Sequence, residues 1–350
     1  MTPLFDQILR QIRSTGPITI ADYMTLALTH PDHGYYTTRD PLGADFTTAP
    51  EISQMFGELL GLSLAGAWME AGAPSPVALA ELGPGRGTLM ADALRATAKV
   101  PGFHAAARLH LVEVSPTLRA AQAKALTGWS PTWSHHVTDL PDAPLFLIAN
   151  EVFDALPIRQ FLRDGAGWRE RVVGANGDAL VFGLTDAAPI AGLGDAGAQD
   201  GALVQTCAAA KAIMGEIARR IATHGGAALI IDYGDAKVTG DTFQAIQNGQ
   251  KADPLSAPGA ADLTAHVDFG ALSRVAKAEG AAVHGPVAQG TLLHRLGIDL
   301  RTRALAKTAN DPGAIETAYP RLTDPAQMGH LFKGIAVTHP ERPAPPGFAP

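Results

Sequence analysis

From residue 76 onward the chain alternates short apolar runs with stretches of helical period, the pattern of a parallel sheet joined by crossover helices. Val77–Leu82, Leu109–Val114 and Leu145–Ala149 read as buried strands and Thr132–Val137 as a weaker one, with helices expected over Thr88–Ala98 and Pro116–Leu126. Upstream, Leu4, Phe5, Ile8, Leu9 and Ile12 recur at helical spacing, as do Met55, Leu59, Leu60, Leu62 and Leu64. Loops are expected at Pro31–Tyr36 and Gly43–Glu51. After Phe161 the texture becomes that of a hairpin, with Arg169–Val173 and Ala179–Leu184 around Asn176-Gly177-Asp178. A helix over Leu203–Thr223 is stopped by Gly225-Gly226, and Ala227–Ile231 is a buried strand ending at Asp232. A Pro- and Gly-rich loop follows over Gly234–Ala261, then a helix Phe269–Glu279, a strand Ala282–Val287, helical sequence over Leu292–Thr308 and a strand Phe332–Thr338.

No repeat interrupts this order. Residues 1–75 are expected to form a helical extension and lid, and 76–340 the core, with a hairpin insertion over about 162–200 and a substrate-side loop over about 235–268. The Pro-rich tail 341–350 should be extended or mobile.

Composition narrows the function. The 350 residues are 46% hydrophobic and carry a net charge of -7, and no basic run offers the clustered Lys and Arg of a general nucleic-acid surface. Cys207 stands alone, as a small hydrophobe without disulfide or zinc spacing. His135-His136 are adjacent and on a strand would face opposite sides, so no metal set emerges. No apolar run approaches the roughly 20 residues that cross a bilayer. The amphipathic N-terminus lacks the apolar stretch and cleavage site of a signal peptide, and the expected compartment is the cytoplasm.

The strongest motif is Glu81-Leu82-Gly83-Pro84-Gly85-Arg86-Gly87-Thr88, a strand, a glycine turn and a helix start. Glycine lets the chain reverse tightly and a ligand approach the backbone, while the free amides of the following helix favour an electron-rich group. Glu113, at the tip of the next strand, is placed to accept ribose hydroxyls, and Asp139-Leu140 could frame an adenine or could equally be a plain loop turn. A nicotinamide dinucleotide and S-adenosylmethionine both satisfy this pattern. Gly-x-Gly-x-Gly spacing departs from the usual pyrophosphate fingerprint, and Glu81 and Glu51 would repel a pyrophosphate but attract a sulfonium and an ammonium, so charge favours S-adenosylmethionine.

With these residues in view, the sequence resembles the MidA-like family of class I S-adenosylmethionine-dependent methyltransferases, which includes a mitochondrial complex I assembly factor that methylates protein arginine. The resemblance is carried by Asp32-His33-Gly34-Tyr35-Tyr36, Asp45–Ser53, Glu81–Leu89, His110–Pro116, Asn150–Pro157, Ile230–Gly234, Ala261–Thr264 with Val267-Asp268-Phe269, and Met328–Lys333. Ala49 and Val152 stand where a serine and an aromatic are common. The resemblance implies an α/β, Rossmann-like class I methyltransferase fold, a seven-stranded mostly parallel sheet ending in an antiparallel hairpin, with a helical N-terminal extension and insertions. It implies cofactor contacts at Gly83, Gly85, Gly87, Glu113 and Asp139-Leu140, and a lid over Phe46–Glu51 closing on the methionine end. Thr47, Thr48, Pro50, Glu81, Val114 and Asn150 complete the expected cofactor set.

Methyl transfer is an in-line attack on the sulfonium methyl, so the protein supplies approach geometry and charge. A guanidinium nucleophile is a planar cation that needs carboxylates to hold it. Glu151 and Asp154 lie at the carboxyl end of the fourth strand, where open sheets place ligands, with Glu151 the first choice and Asp154 alternatively a turn cap. Asp232 and Tyr233 should flank the same crevice. Asp262 and His266 are further candidates; His266 and Asp268 could form a proton relay, although Asp268 is well placed to cap the next helix. The expected partner is a protein substrate, by resemblance an iron–sulfur subunit of respiratory complex I, with a second copy of the chain as a candidate. An assembly chaperone retaining the pocket, a small-molecule O- or N-methyltransferase and a nicotinamide-dependent oxidoreductase are the alternatives.

Overall fold

The computed structural model describes residues 2–38, 47–193, 199–308 and 311–349. Two compact bodies share them: residues 1–46, 154–210 and 238–266 in one, and residues 47–153, 211–237 and 267–350 in the other. Each is assembled from separate stretches of chain, so a body is not a contiguous segment of sequence.

The larger body holds the parallel sheet. Among the described residues its strands are β1 (Val77–Leu82), β2 (Ala107–Val112), β3 (Thr132–Ser134), β4 (Leu145–Asn150), β5 (Gly226–Asp235), β6 (Ala282–Ala288) and β7 (Phe332–Thr338). Their order is β6-β7-β5-β4-β1-β2-β3, with Val267–Asp268 pairing to the end of β5. Only β7 runs antiparallel to its neighbours. This is the class I methyltransferase sheet expected from the resemblance. Every residue of β1 is buried, as a strand covered on both faces requires. The helices Gln54–Glu70 and Thr88–Thr97 cover one face, brought close by Gly61, where a Cβ would lie 2.6 Å from Ala93 Cα. Glu58 on the first of these helices is buried and held by Arg95 at 2.8 Å and Arg301 at 2.6 Å.

The smaller body packs the helices Pro3–Thr15 and Ile20–Thr29 on a five-stranded sheet, which contains Ile18–Thr19, Arg159–Asp164, Gly167–Asn176, Ala179–Leu184 and Leu203–Thr206. Leu4, Phe5, Ile8, Leu9 and Ile12 form the buried stripe that their spacing predicts. Thr2 caps the first helix and Thr19 with Asp22 forms a capping box on the second.

Several local expectations give way. Leu203–Thr206 is a strand paired to Arg159–Leu162, and the helix starts only at Ala208; a short apolar run does not distinguish the two states until a partner strand is present. The expected loop over Gly234–Ala261 contains a hairpin, Gln244–Gln247 with Gln250–Ala252, and Asp262–Thr264 adds a third strand. Gly297, at φ +87°, divides the expected helix over Leu292–Thr308 into Gln289–Arg295 and Ile298–Ala306. The tail is not mobile: Phe348 is buried in the core of the larger body and Ser63 Oγ donates to the Pro346 carbonyl at 2.7 Å.

Candidate functional site

At the carboxyl end of β1 the chain enters a turn in which Gly83, Gly85 and Gly87 have φ of +57°, +52° and +84°. All three lie in the left-handed region that a side chain strains. At Gly83 a Cβ would also lie 2.8 Å from Val152 Cγ2. Gly87 caps the helix Thr88–Thr97 without a side chain of its own. Glu51 serves that end instead: its carboxylate accepts from Thr88 Oγ1 at 2.6 Å and lies 3.8 Å from Arg86 Nη1. A negative charge there is favourable.

Glu113 follows β2 and is buried, with its carboxylate accepting from the Ser115 amide at 2.8 Å and from Gln122 Nε2 at 3.2 Å. Burial raises its pKa above the ordinary carboxylate value, against those hydrogen bonds. Gln122 is fully buried and also donates to the Gly85 carbonyl at 2.8 Å, while its own Oε1 accepts from Trp133 Nε1 at 2.8 Å. It ties the glycine turn to Glu113. Sequence reasoning passed over Gln122; the signal was one amide on the apolar side of the helix Pro116–Ala125. Val114 beside it is 55% exposed, an apolar surface suited to a flat ring. Asp139 accepts from the His135 and His136 amides at 3.2 and 2.9 Å, and the Leu140 amide bonds to the Val137 carbonyl, so in this structure the pair closes its own turn.

Glu81 is 2% exposed on β1, and burial raises its pKa to about 8, offset in part by the Met90 amide. Its Oε2 is buried without a hydrogen-bond partner among the described residues, as is Asn150 Oδ1. Glu81 pairs with Ile148, which places Asn150, two residues further along β4, on the same face. Two buried acceptors awaiting donors suit a cationic ammonium or sulfonium and would oppose a pyrophosphate. The residues present therefore fit S-adenosylmethionine.

Glu151 leaves β4 at φ +53°, a conformation that costs a non-glycine residue on the order of 1 kcal/mol and clusters at functional sites. Its amide donates to the Ile231 carbonyl at 2.9 Å, and its Oε1 accepts from the Ala49 amide at 3.1 Å and Asn150 Nδ2 at 3.0 Å. Asp232 is fully buried and accepts from the amides of Val152, Phe153 and Tyr233 at 3.2, 2.9 and 2.9 Å. It organises the turn after Glu151, a correction to the expectation of a crevice-lining acid. Thr48 precedes the short helix Ala49–Ile52, in which Pro50 is buried, and Thr47 is half-buried; Phe46 of the expected lid lies outside the described residues.

The twelve expected cofactor residues and Glu151 thus all belong to the larger body, whereas Asp154, Asp262 and His266 belong to the smaller. There Asp262 accepts from the Tyr36 hydroxyl at 2.7 Å. The His266 amide donates to Thr242 Oγ1 and its carbonyl accepts from Gln205 Nε2. Asp268 caps its helix, accepting from the Ala271 amide at 2.7 Å. No group of His, Cys, Asp and Glu with metal-binding geometry occurs among the described residues, and no helix there is long and apolar enough to cross a membrane.

A Gly85→Val change should lower S-adenosylmethionine affinity at least about tenfold, because a side chain on this turn would stand where the cofactor approaches the backbone, and the left-handed φ of +52° should also lower stability. Calorimetry checks this, and unchanged affinity would count against the turn as the binding site.

The family model for S-adenosyl-L-methionine-dependent methyltransferase matches residues 59–287. The chain is 38% identical to the bovine protein named protein arginine methyltransferase NDUFAF7, mitochondrial, covering 98% of this chain and 85% of that one. It is 40% identical to the Danio rerio protein of the same name, covering 95% and 86%. Among solved structures it is similar to a Burkholderia thailandensis protein crystallised with S-adenosyl-homocysteine, with TM-score 0.82 and 28% identity over 99% of this chain and 94% of that one. The expectation of a cytoplasmic protein is overturned by relatives that span nearly the whole chain and are named mitochondrial. The chain belongs to the S-adenosyl-L-methionine-dependent methyltransferases, and S-adenosyl-L-methionine is its cofactor.

Proposed function

We propose that the chain methylates an arginine side chain of a protein, an iron–sulfur subunit of respiratory complex I or an assembly intermediate that carries it. The observation that carries the reading is Glu151, an acid held at positive φ at the carboxyl end of a parallel strand. The names of the relatives support the choice of arginine.

In this reading Glu81 and Asn150 hold the amino-acid end of the cofactor, Glu113 accepts the ribose hydroxyls, and Val114 with Asp139-Leu140 frames the adenine. Gly83, Gly85 and Gly87 let the cofactor approach the backbone, and Thr47, Thr48 and Pro50 close over the methionine end. The cofactor supplies an electrophilic methyl group. Glu151 accepts N–H bonds from the guanidinium and orients one nitrogen. That nitrogen bonds to the methyl carbon as the sulfur–methyl bond breaks, with S-adenosylhomocysteine leaving and the nitrogen's proton passing to solvent. Asp154, Asp262 and His266 serve the substrate rather than the cofactor.

Incubation with a complex I iron–sulfur subunit and radiolabelled S-adenosylmethionine should yield labelled methylarginine after acid hydrolysis. Absence of label with the wild-type chain, or undiminished label with Glu151→Ala, would overturn the reading.

A further inference from the structure

The helix Pro116–Ala125 buries a single residue, and that residue is polar: Gln122 is fully buried where packing alone would select a hydrophobe. Its Cα lies 3.3 Å from the place a Cβ on Gly87 would take, so the helix rests directly on the glycine turn. The direction of the Gln122 amide is fixed from the far side. Trp133, half-buried on β3, has an indole N–H that can only donate, and it donates to Gln122 Oε1 at 2.8 Å. The amide nitrogen therefore faces the other way, where it donates to the Gly85 carbonyl at 2.8 Å and to Glu113 Oε2 at 3.2 Å.

Glu113 is held in two independent ways. Its amide donates to the Ser134 carbonyl at 3.0 Å and its carbonyl accepts from Arg119 Nε at 2.8 Å, which fixes the backbone without Gln122. Its carboxylate accepts from the Ser115 amide at Oε1 and from Gln122 at Oε2. A carboxylate has about four acceptor positions, so it keeps capacity for a pair of ligand hydroxyls. We propose that Gln122, oriented by Trp133, is the positioning residue that turns the Glu113 carboxylate toward both hydroxyls of the cofactor's ribose and so sets a preference for ribose over deoxyribose. The inference rests on the reading of Glu113 as the ribose acceptor. A carboxylate turned before the ligand arrives loses little further conformational freedom on binding, and the second hydroxyl finds its acceptor already in place.

Calorimetry on the full chain, comparing S-adenosylhomocysteine with its 2′-deoxy analogue, tests this. The wild-type chain should prefer the ribose form about 10- to 100-fold, the range of a hydrogen bond to a charged group. Gln122→Met, close in volume but unable to donate, should cut that preference about fivefold, and Trp133→Phe, which leaves Gln122 in place without its orienting donor, should cut it at least about twofold. A purely structural Gln122 would weaken both ligands alike and leave their ratio unchanged, and that result overturns the proposal. If Gln122→Met does not fold, the ratio in Trp133→Phe decides. Glu113→Ala separates this inference from the reading beneath it. A wild-type ratio in that variant, or equal binding of both ligands by the wild-type chain, removes Glu113 from the ribose and the proposal with it. A ratio lost in Glu113→Ala but kept in Gln122→Met removes the role of Gln122 alone.

Discussion

Glu151→Gln is expected to reduce methyl transfer by about 10²–10³-fold, the range typical of removing one preorganised electrostatic group. The substitution preserves the side-chain oxygen that accepts from the Ala49 amide and Asn150 Nδ2, so the local geometry should persist. The charge is lost and the second oxygen becomes an NH2 donor, which cannot accept an N–H bond from the guanidinium. S-adenosylmethionine affinity should stay within about twofold and the loss should appear in kcat, because this contact strengthens as charge shifts in the transition state. Steady-state kinetics with calorimetry separates the two effects. Wild-type kcat would remove Glu151 from the chemistry, while a loss confined to cofactor affinity would move it into the cofactor set.

Glu81→Gln should weaken cofactor binding about 10- to 100-fold and raise the stability of the cofactor-free protein. The first effect is the loss of a charged acceptor worth about 1.5–3 kcal/mol. The second follows from the pKa of about 8 in the folded chain, against an ordinary carboxylate value when unfolded. Between these values the folded state holds a proton that the unfolded state releases, so rising pH favours unfolding. The cost is absent below the unfolded pKa, grows by about 1.4 kcal/mol per pH unit above it and levels off beyond the folded pKa. At pH 7 the glutamine variant should therefore gain up to about 3 kcal/mol, several degrees in Tm. Thermal unfolding across pH 4–9 checks the trend, and a constant difference between the two proteins would remove burial of Glu81 as its cause. Wild-type affinity for S-adenosylmethionine should rise with pH through the same window, since the cationic ligand selects the ionised carboxylate.

The legible parts of the sequence are those whose cause is local. Three glycines in five residues at positive φ, following six buried strand residues, announce a ligand turn without knowledge of the remaining chain. The stripe from Leu4 to Ile12 and the cap at Asp268 are equally local. Leu203–Thr206 misled because its apolar residues suit either state, and pairing with Arg159–Leu162 decides between them. Gln122 was missed for a related reason: a buried amide has no meaning until Gly85, Glu113 and Trp133 surround it.

By itself, the sequence determined the α/β class, the strand–glycine–helix unit and the acids at the strand ends, because backbone sterics and hydrophobic period act over neighbouring residues. Tertiary structure alone decided what those acids do. It buried Asp232 under three backbone amides and left a buried Glu81 oxygen without a donor. It also joined Tyr36 to Asp262 across 226 residues of chain. The reason is physical: a carboxylate's role depends on its desolvation and on the donors that reach it, and both are set by distant segments that only the fold brings together.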